Sequence, residues 1–328
     1  GAAYQMLGEL KKGLSYREQA LAMYRELYGN ALHPHVARSL YNVGVAYDKL
    51  GELQKGISYT EQALAMYKVL HGEAPHPDVA MSLHTLGAAY QELYALQKGV
   101  SYSEQALAMY KMLYGETLHP QIARSLYNLG VAYQELGDVK KGIIYQEQAL
   151  AIRRQLYGEK PHPNVASFLN DVGKAYLKLG EVRKGLTYQE QALEMYKNLH
   201  GKMPHTNVAN CLSNVGKAYA YFGEVQKSLT YQEQALVVRQ QIYGQTPHPD
   251  VANSLNNVGL AYQKLGNVRK GLTYHEQALA MRQILYGSVP NLDTATSLPN
   301  VSKSYEMLGE ADKAKWYYEE ALMLLPEE

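Results

Sequence analysis

The chain has 328 residues, of which 46% are hydrophobic and 19% charged, a balance that fits an ordered, soluble protein and excludes a disordered one. Lys and Arg number 32 against 31 Asp and Glu, and the resulting net charge of +1 argues against nucleic acid as the main partner. One cysteine, Cys211, excludes an intrachain disulfide framework and points to a reducing, cytoplasmic compartment, and no apolar run reaches the roughly 18 residues of a membrane span.

The first segment, GAAYQMLGEL, aligns with GAAYQELYAL at 87–96. This predicts a first unit, residues 1–32, that lacks the front half of its leading helix, and therefore a chain that is part of a longer protein. From residue 33 the same text recurs as units 33–75, 76–118, 119–161, 162–204, 205–247 and 248–290, followed by a divergent 291–328. The clock is glycine: Gly8, Gly51, Gly137, Gly180, Gly223, Gly266 and Gly309 keep a spacing of 43 or twice 43, with Tyr94 at the one gap. A fixed period of this length is the signature of a repeat array.

Each unit reads as two helices. In HPDVANSLNNVGLAYQKLG (248–266), Leu255, Val258, Gly259 and Tyr262 fall on one helical stripe. Pro249 suits the first turn, Asp250 complements the dipole, and Gly266 ends the helix. A second helix runs through Val268, Leu272, Tyr274, Ala278, Leu279 and Ile284 to Tyr286-Gly287. The short loops make the pair antiparallel. Each pair carries apolar groups on two sides, so it must stack on its neighbours, which predicts an all-α solenoid, a single domain over 1–328. The chain has 30 tyrosines against two phenylalanines. Those recurring in the first helices (Tyr47, Tyr90 and onward) and the second (Tyr16, Tyr59 and onward) are expected to pack, with the hydroxyl tied to a neighbouring helix.

The pattern L-x-x-LG-x-A-Y-x-x-LG followed by A-L resembles the tetratricopeptide repeat, and the longer unit with HPxVA-x-(S/F)-L resembles its kinesin light chain type. The resemblance covers essentially the whole chain. It implies a right-handed superhelix whose first helices line a concave, protein-binding surface. Two features depart from the family pattern. Gly13, Gly56, Gly99, Gly142, Gly185 and Gly271 stand where a small Ala usually opens the second helix. Since Gly costs about 1 kcal/mol relative to Ala in a helix, these helices are expected to start late or flex. The last unit has the linker SVPNLDTATSLPN, without His-Pro and with Pro299 inside its first helix, as a capping unit would.

Catalytic chemistry is not expected, nor is a cofactor. His33, His76, His119, His162, His205 and His248 recur, but equivalent residues of stacked units lie roughly 8–10 Å apart, whereas zinc requires donors about 2 Å from the metal. These histidines read as weak caps at helix entrances, and no metal site is assigned. Cys211 reads as a small buried residue. The glutamates of the EQAL motif recur in every unit and so form no unique acid–base pair. The glycines follow the 43-residue clock rather than a phosphate loop.

Function is therefore sought on the face implied to be concave. An amide position recurs as Asn42, Asn128, Asn214, Asn257 and Asn300, with Thr85 and Asp171 substituted, and the resemblance implies that such asparagines grip peptide main chain. Around it the N-terminal half carries Arg38, Tyr41, His84, Arg124 and Tyr127, mixed charge with aromatic surface. The C-terminal half carries Lys174, Lys178, Lys217, Lys264 and Lys303, with Asp171 the nearby acid. The expected partner is an extended or helical, acidic peptide segment of another protein. A second reading is a sensor array attached to a signalling ATPase or protease-like effector. A third is end-to-end self-association through the open first unit.

Overall fold

The computed structural model describes residues 2–29, 31–158, 160–287 and 291–324. It divides into two compact units, Gly1–Lys160 and Pro161–Glu328. The first contains α1 (Ala2–Tyr28), α2 (Pro34–Lys49), α3 (Leu53–His71), α4 (Pro77–Glu92), α5 (Leu96–Tyr114), α6 (Pro120–Glu135) and α7 (Val139–Tyr157). The second contains α8 (Pro163–Lys178), α9 (Val182–His200), α10 (Thr206–Tyr221), α11 (Val225–Tyr243), α12 (Pro249–Lys264), α13 (Val268–Tyr286), α14 (Leu292–Met307) and α15 (Ala311–Met323). Among the described residues the chain is all-α, a succession of helical hairpins.

The repeat's punctuation has direct physical causes. Each recurring histidine is an N-cap: Nδ1 of His76 accepts from the Asp78 N–H at 3.2 Å, and His248 does the same for Asp250 at 3.1 Å. Proline follows at the first helical position in most units, and in the divergent last unit Asn291 Oδ1 takes over the cap, accepting from Asp293 N–H at 2.8 Å. Residues 288–290 of that linker lie outside the described residues. The helix continues through Pro299, which is exposed. The cap rings of His33, His76, His119, His205 and His248 also stack on the aromatic residue that closes the preceding helix, as His119 does on Tyr114 at 3.5 Å.

Two expectations change. The glycines of the second helices do not delay or loosen them, since Gly142 lies inside a continuous α7. They are there because the two helices of a hairpin cross in contact: a Cβ on Gly142 would fall 2.6 Å from the carbonyl oxygen of Gly130, itself a glycine. The first unit also differs. The turn expected at Gly8 is absent, and α1 runs through it as one helix of 27 residues. That turn is held elsewhere by the packing of paired helices, and nothing lies within 4 Å of a Cβ built on Gly8 or Gly13.

Neighbouring hairpins are joined in two ways. Leucine, valine and alanine fill the interior, with Val43 and Leu86 in the first unit and Val258 and Val301 in the second fully buried. Burying such side chains stabilises by about 1.5–3 kcal/mol each. The tyrosines then act as expected. Tyr47 donates to Glu18 at 2.6 Å, Tyr90 to Glu61 at 2.8 Å, Tyr219 to Glu190 at 2.9 Å and Tyr262 to Glu233 at 2.6 Å, always the EQAL glutamate of the preceding hairpin. Burial and then Glu61 push the Tyr90 phenol up to about 12, so it remains a donor. One residue type thus explains two invariant positions.

Candidate peptide-binding face

The first helices present a row of polar residues one turn apart, and the structure uses part of that row internally. Asn214 Nδ2 donates to Asn170 Oδ1 at 2.9 Å, Asn300 Nδ2 to Asn256 Oδ1 at 2.9 Å, and Asn257 Nδ2 to Ser213 Oγ at 3.3 Å. Each bond links a hairpin to the one before it, with a separation of 44 residues. In the first unit Tyr41 and Thr85 pair hydroxyl to hydroxyl at 3.0 Å in the same register. The amide N–H groups of Asn214 and Asn257 therefore staple the array, with both side chains half-buried. Truncating them would remove an inter-hairpin bond as well as any bond to a partner.

His84 departs furthest from its expected exposure. It is 4% exposed and Nε2 accepts from Arg124 Nε at 2.8 Å, with Asn128 Nδ2 at 3.3 Å. Arginine only donates, so the ring carries its proton on Nδ1, facing Ser125 Oγ at 3.5 Å. Burial and then Arg124 push its pKa down to about 4. His84 is thus a neutral, internal acceptor that fixes Arg124 rather than a surface to be gripped. Arg38, Asn42 and Arg124 are exposed, and Tyr41, Tyr127 and Asn128 half-buried.

In the second unit Lys174, Lys178, Lys217 and Lys264 are exposed, and Asp171, Asn214 and Asn257 half-buried. Asp171 is engaged by Lys174 at 3.1 Å. Asp171, Lys174, Asn214 and Lys217 come together with Asn210 and Arg239 around a polar cavity of about 390 Å³. Lys217 is shared with a second, more apolar cavity of about 380 Å³ whose walls include Tyr221, Val225, Leu260 and Lys264. Lys178 lines neither cavity.

Arg239 is the residue that sequence reasoning missed. It comes from a second helix and is 6% exposed. One of its terminal nitrogens donates to Asn210 Oδ1 at 2.7 Å and the other to Ser254 Oγ, while Nε has no partner. Among the described residues no carboxylate forms an ion pair with it, and Asp250 is the acid that acts on its charge from a distance. Burial of the amino group, and then the charges of Arg239 and Lys174, pull the Lys217 pKa down. A signal existed: Tyr67, Tyr110 and Tyr196 hold this register, and Arg153, Arg239 and Arg282 break it. Cys211, beside Asn170 Oδ1 at 3.7 Å, is buried and its thiol is pushed up to about 12, so it is no nucleophile.

Stacked helical hairpins with a polar row on their first helices define a helical-repeat protein. A family model described as tetratricopeptide repeat matches residues 1–69, 78–155, 121–198, 164–241 and 250–327. The chain belongs to the tetratricopeptide repeat family. Among solved structures it resembles BtubC (BKLC) from P. vanneervenii, at 22% identity over 73% of this chain and 94% of that one, with a TM-score of 0.62. It also resembles a putative kinesin light chain with nearly identical TPR-like repeats from Podosopora anserina, at 25% identity over 66% of this chain and 100% of that one, TM-score 0.57. A third likeness is a signal transduction ATPase with numerous domains and a tetratricopeptide repeat sensor from Pyrococcus horikoshii. There the identity is 14% over 98% of this chain and 47% of that one, TM-score 0.67. No curated protein matches. The kinesin light chain-like character of the repeats is thereby shown. The family is one of non-catalytic scaffolds that bind protein partners, and no helix among the described residues is long and apolar enough to cross a membrane.

Proposed function

We propose that this chain is a scaffold that binds an acidic, extended or helical peptide segment of a partner along its first helices. The observation that carries this reading is the polar cavity of the second unit, where Lys174, Lys217 and Arg239 meet a single acid, Asp171, that Lys174 already engages. A carboxylate of the partner supplies the missing negative charge, and a neighbouring apolar side chain fits the adjoining cavity across Lys217. The amide oxygens of Asn214 and Asn257 can accept from peptide N–H groups, each such bond contributing about 0.5–1.5 kcal/mol. In the first unit the mixed surface of Arg38, Asn42, Arg124 and Tyr127 offers that unit's own first helices a contact for a partner.

The test is fluorescence polarisation with a short, labelled, Glu-rich peptide containing one Trp. Lys217→Glu and Arg239→Tyr should each weaken binding at least tenfold, equivalent to about 1.4 kcal/mol, while Lys140→Glu, exposed in the first unit, should not. Tyrosine is chosen because Tyr196 fills that register in another hairpin. Binding indifferent to both substitutions would overturn the reading. A second reading, a sensor array of a larger signalling ATPase or protease-like effector, is favoured by the likeness to the Pyrococcus horikoshii sensor protein along 98% of this chain. A nucleotide-binding loop or a Cys/His protease pair elsewhere in the full-length sequence would select it. Self-association through the first hairpin rests partly on residues 2–7, whose side chains lie outside those described, and light scattering over a concentration series tests it.

A further inference from the structure

The turn between α3 and α4 breaks the pattern of its counterparts. In the last two such turns a tyrosine closes the helix and its hydroxyl reaches the acid on the next helix, Tyr243 to Asp250 at 3.1 Å and Tyr286 to Asp293 at 2.8 Å. Asp78 holds that acidic register here, but the tyrosine is replaced by His71. The imidazole stacks on the cap ring of His76, at 3.3 Å between centroids and 7° between planes, as a tyrosine would. It is shorter than a phenol, however, and its Nε2 is buried without a hydrogen-bond partner. The Asp78 carboxylate stands 3.8 Å from His76 Nδ1. A bond made by an O–H elsewhere has become a gap bordered by two ring nitrogens and a carboxylate.

We propose that His71, His76 and Asp78 form a binding site for a divalent transition metal of the zinc class, with water completing the coordination. One donor atom from each residue lies within 4.8 Å of the others. Zinc bonds of about 2.0–2.2 Å hold donors roughly 3.3 Å apart and set the ion in the plane of each imidazole. The two rings, 7° from parallel in the stack, must therefore rotate out of it to close the set. Two imidazoles and a carboxylate suit this metal. The distance argument against histidines of different units does not apply, because all three ligands belong to one turn. His76 Nδ1 also caps α4 through the Asp78 N–H. An ion taking that nitrogen displaces the cap, a loss that weakens binding about fivefold. Among the described residues no other cluster has three such ligands. The nearest analogue, His200 stacked on His205 at 3.6 Å, has Asn207 in place of the acid.

The repeats themselves supply the controls. The full chain, stripped with a chelator, is titrated with Zn²⁺ by calorimetry and with Co²⁺ by visible absorption, circular dichroism reporting the fold. One equivalent should bind. His71→Tyr restores the residue of the neighbouring hairpins and keeps the ring stack, and Asp78→Asn copies Asn164 and Asn207. Each should weaken binding at least tenfold without loss of helix. Asn207→Asp should add a second equivalent beside His200 and His205. No saturable binding below roughly 0.1 mM, binding unaffected by His71→Tyr and Asp78→Asn, or no second equivalent in Asn207→Asp would overturn the assignment.

Discussion

Replacing Gly142 by alanine adds one methyl group where α6 and α7 cross. That carbon would lie 2.6 Å from the Gly130 carbonyl oxygen and 2.6 Å from Gln134 Cγ, where ordinary contact begins at 3.4 Å. The glutamine side chain can swing aside, but the carbonyl belongs to a helix and cannot. The hairpin must therefore open by about 0.8 Å, the difference between those two distances, and overpacking of this kind costs about 1–3 kcal/mol. Alanine returns about 1 kcal/mol of helix propensity, which leaves a net loss of up to about 2 kcal/mol. Gly13 occupies the same register in α1, where a Cβ meets nothing within 4 Å. There only the propensity remains, and Gly13→Ala should stabilise by about 0.5–1 kcal/mol. The same substitution at the same repeat position thus has opposite signs. Repeat arrays do not unfold in one all-or-none step, so the readout is native-state hydrogen exchange of each helix. Protection of α6 and α7 should fall by a factor of up to about 30 in Gly142→Ala, and that of α1 should rise in Gly13→Ala. If Gly142→Ala increases protection of its own hairpin, close approach is not why glycine stands there.

Two further outcomes follow from the buried polar groups. His84 has a pKa near 4 in the folded chain against 6.5 when exposed, so the unfolded state binds the proton first as pH falls. Its contribution is complete above pH 6.5 and drains away between there and pH 4, to a limit of about 3 kcal/mol. His84→Asn, which copies Asn170 and Asn256 of other hairpins, should flatten that part of the acid limb when exchange protection of α4 and α6 at pH 7 and pH 5, corrected for the intrinsic rates, is compared with that of the parent chain. Tyr262→Phe removes the bond to Glu233 at 2.6 Å and the one from Lys270 at 2.7 Å. Losing charge-assisted bonds at this half-buried pair should cost about 1–2 kcal/mol, seen as increased exchange in α12 and α13.

The sequence alone determined the repeat and the helices. An unbroken 43-residue period, apolar stripes at helical spacing and capping residues at fixed offsets are local signals, and local backbone chemistry obeys them: the recurring histidines cap, the closing glycines turn, and the tyrosines pack. Tertiary structure decided which polar residues are free. Asn214 and Asn257 lie on the row that periodicity gives, yet their N–H groups meet the hairpin before them, 44 residues away, a separation no single unit contains. His84 has the register of a surface residue and is buried because Arg124, 40 residues on, closes over it. Arg239 enters the polar cavity from a helix whose pattern reads as packing. The second-helix glycines read as weak points until the crossing with Gly130 shows that a methyl group has no room. In each case the deciding interaction joins groups on different helices, and its distance depends on how the hairpins pack, which the residues of one helix do not encode.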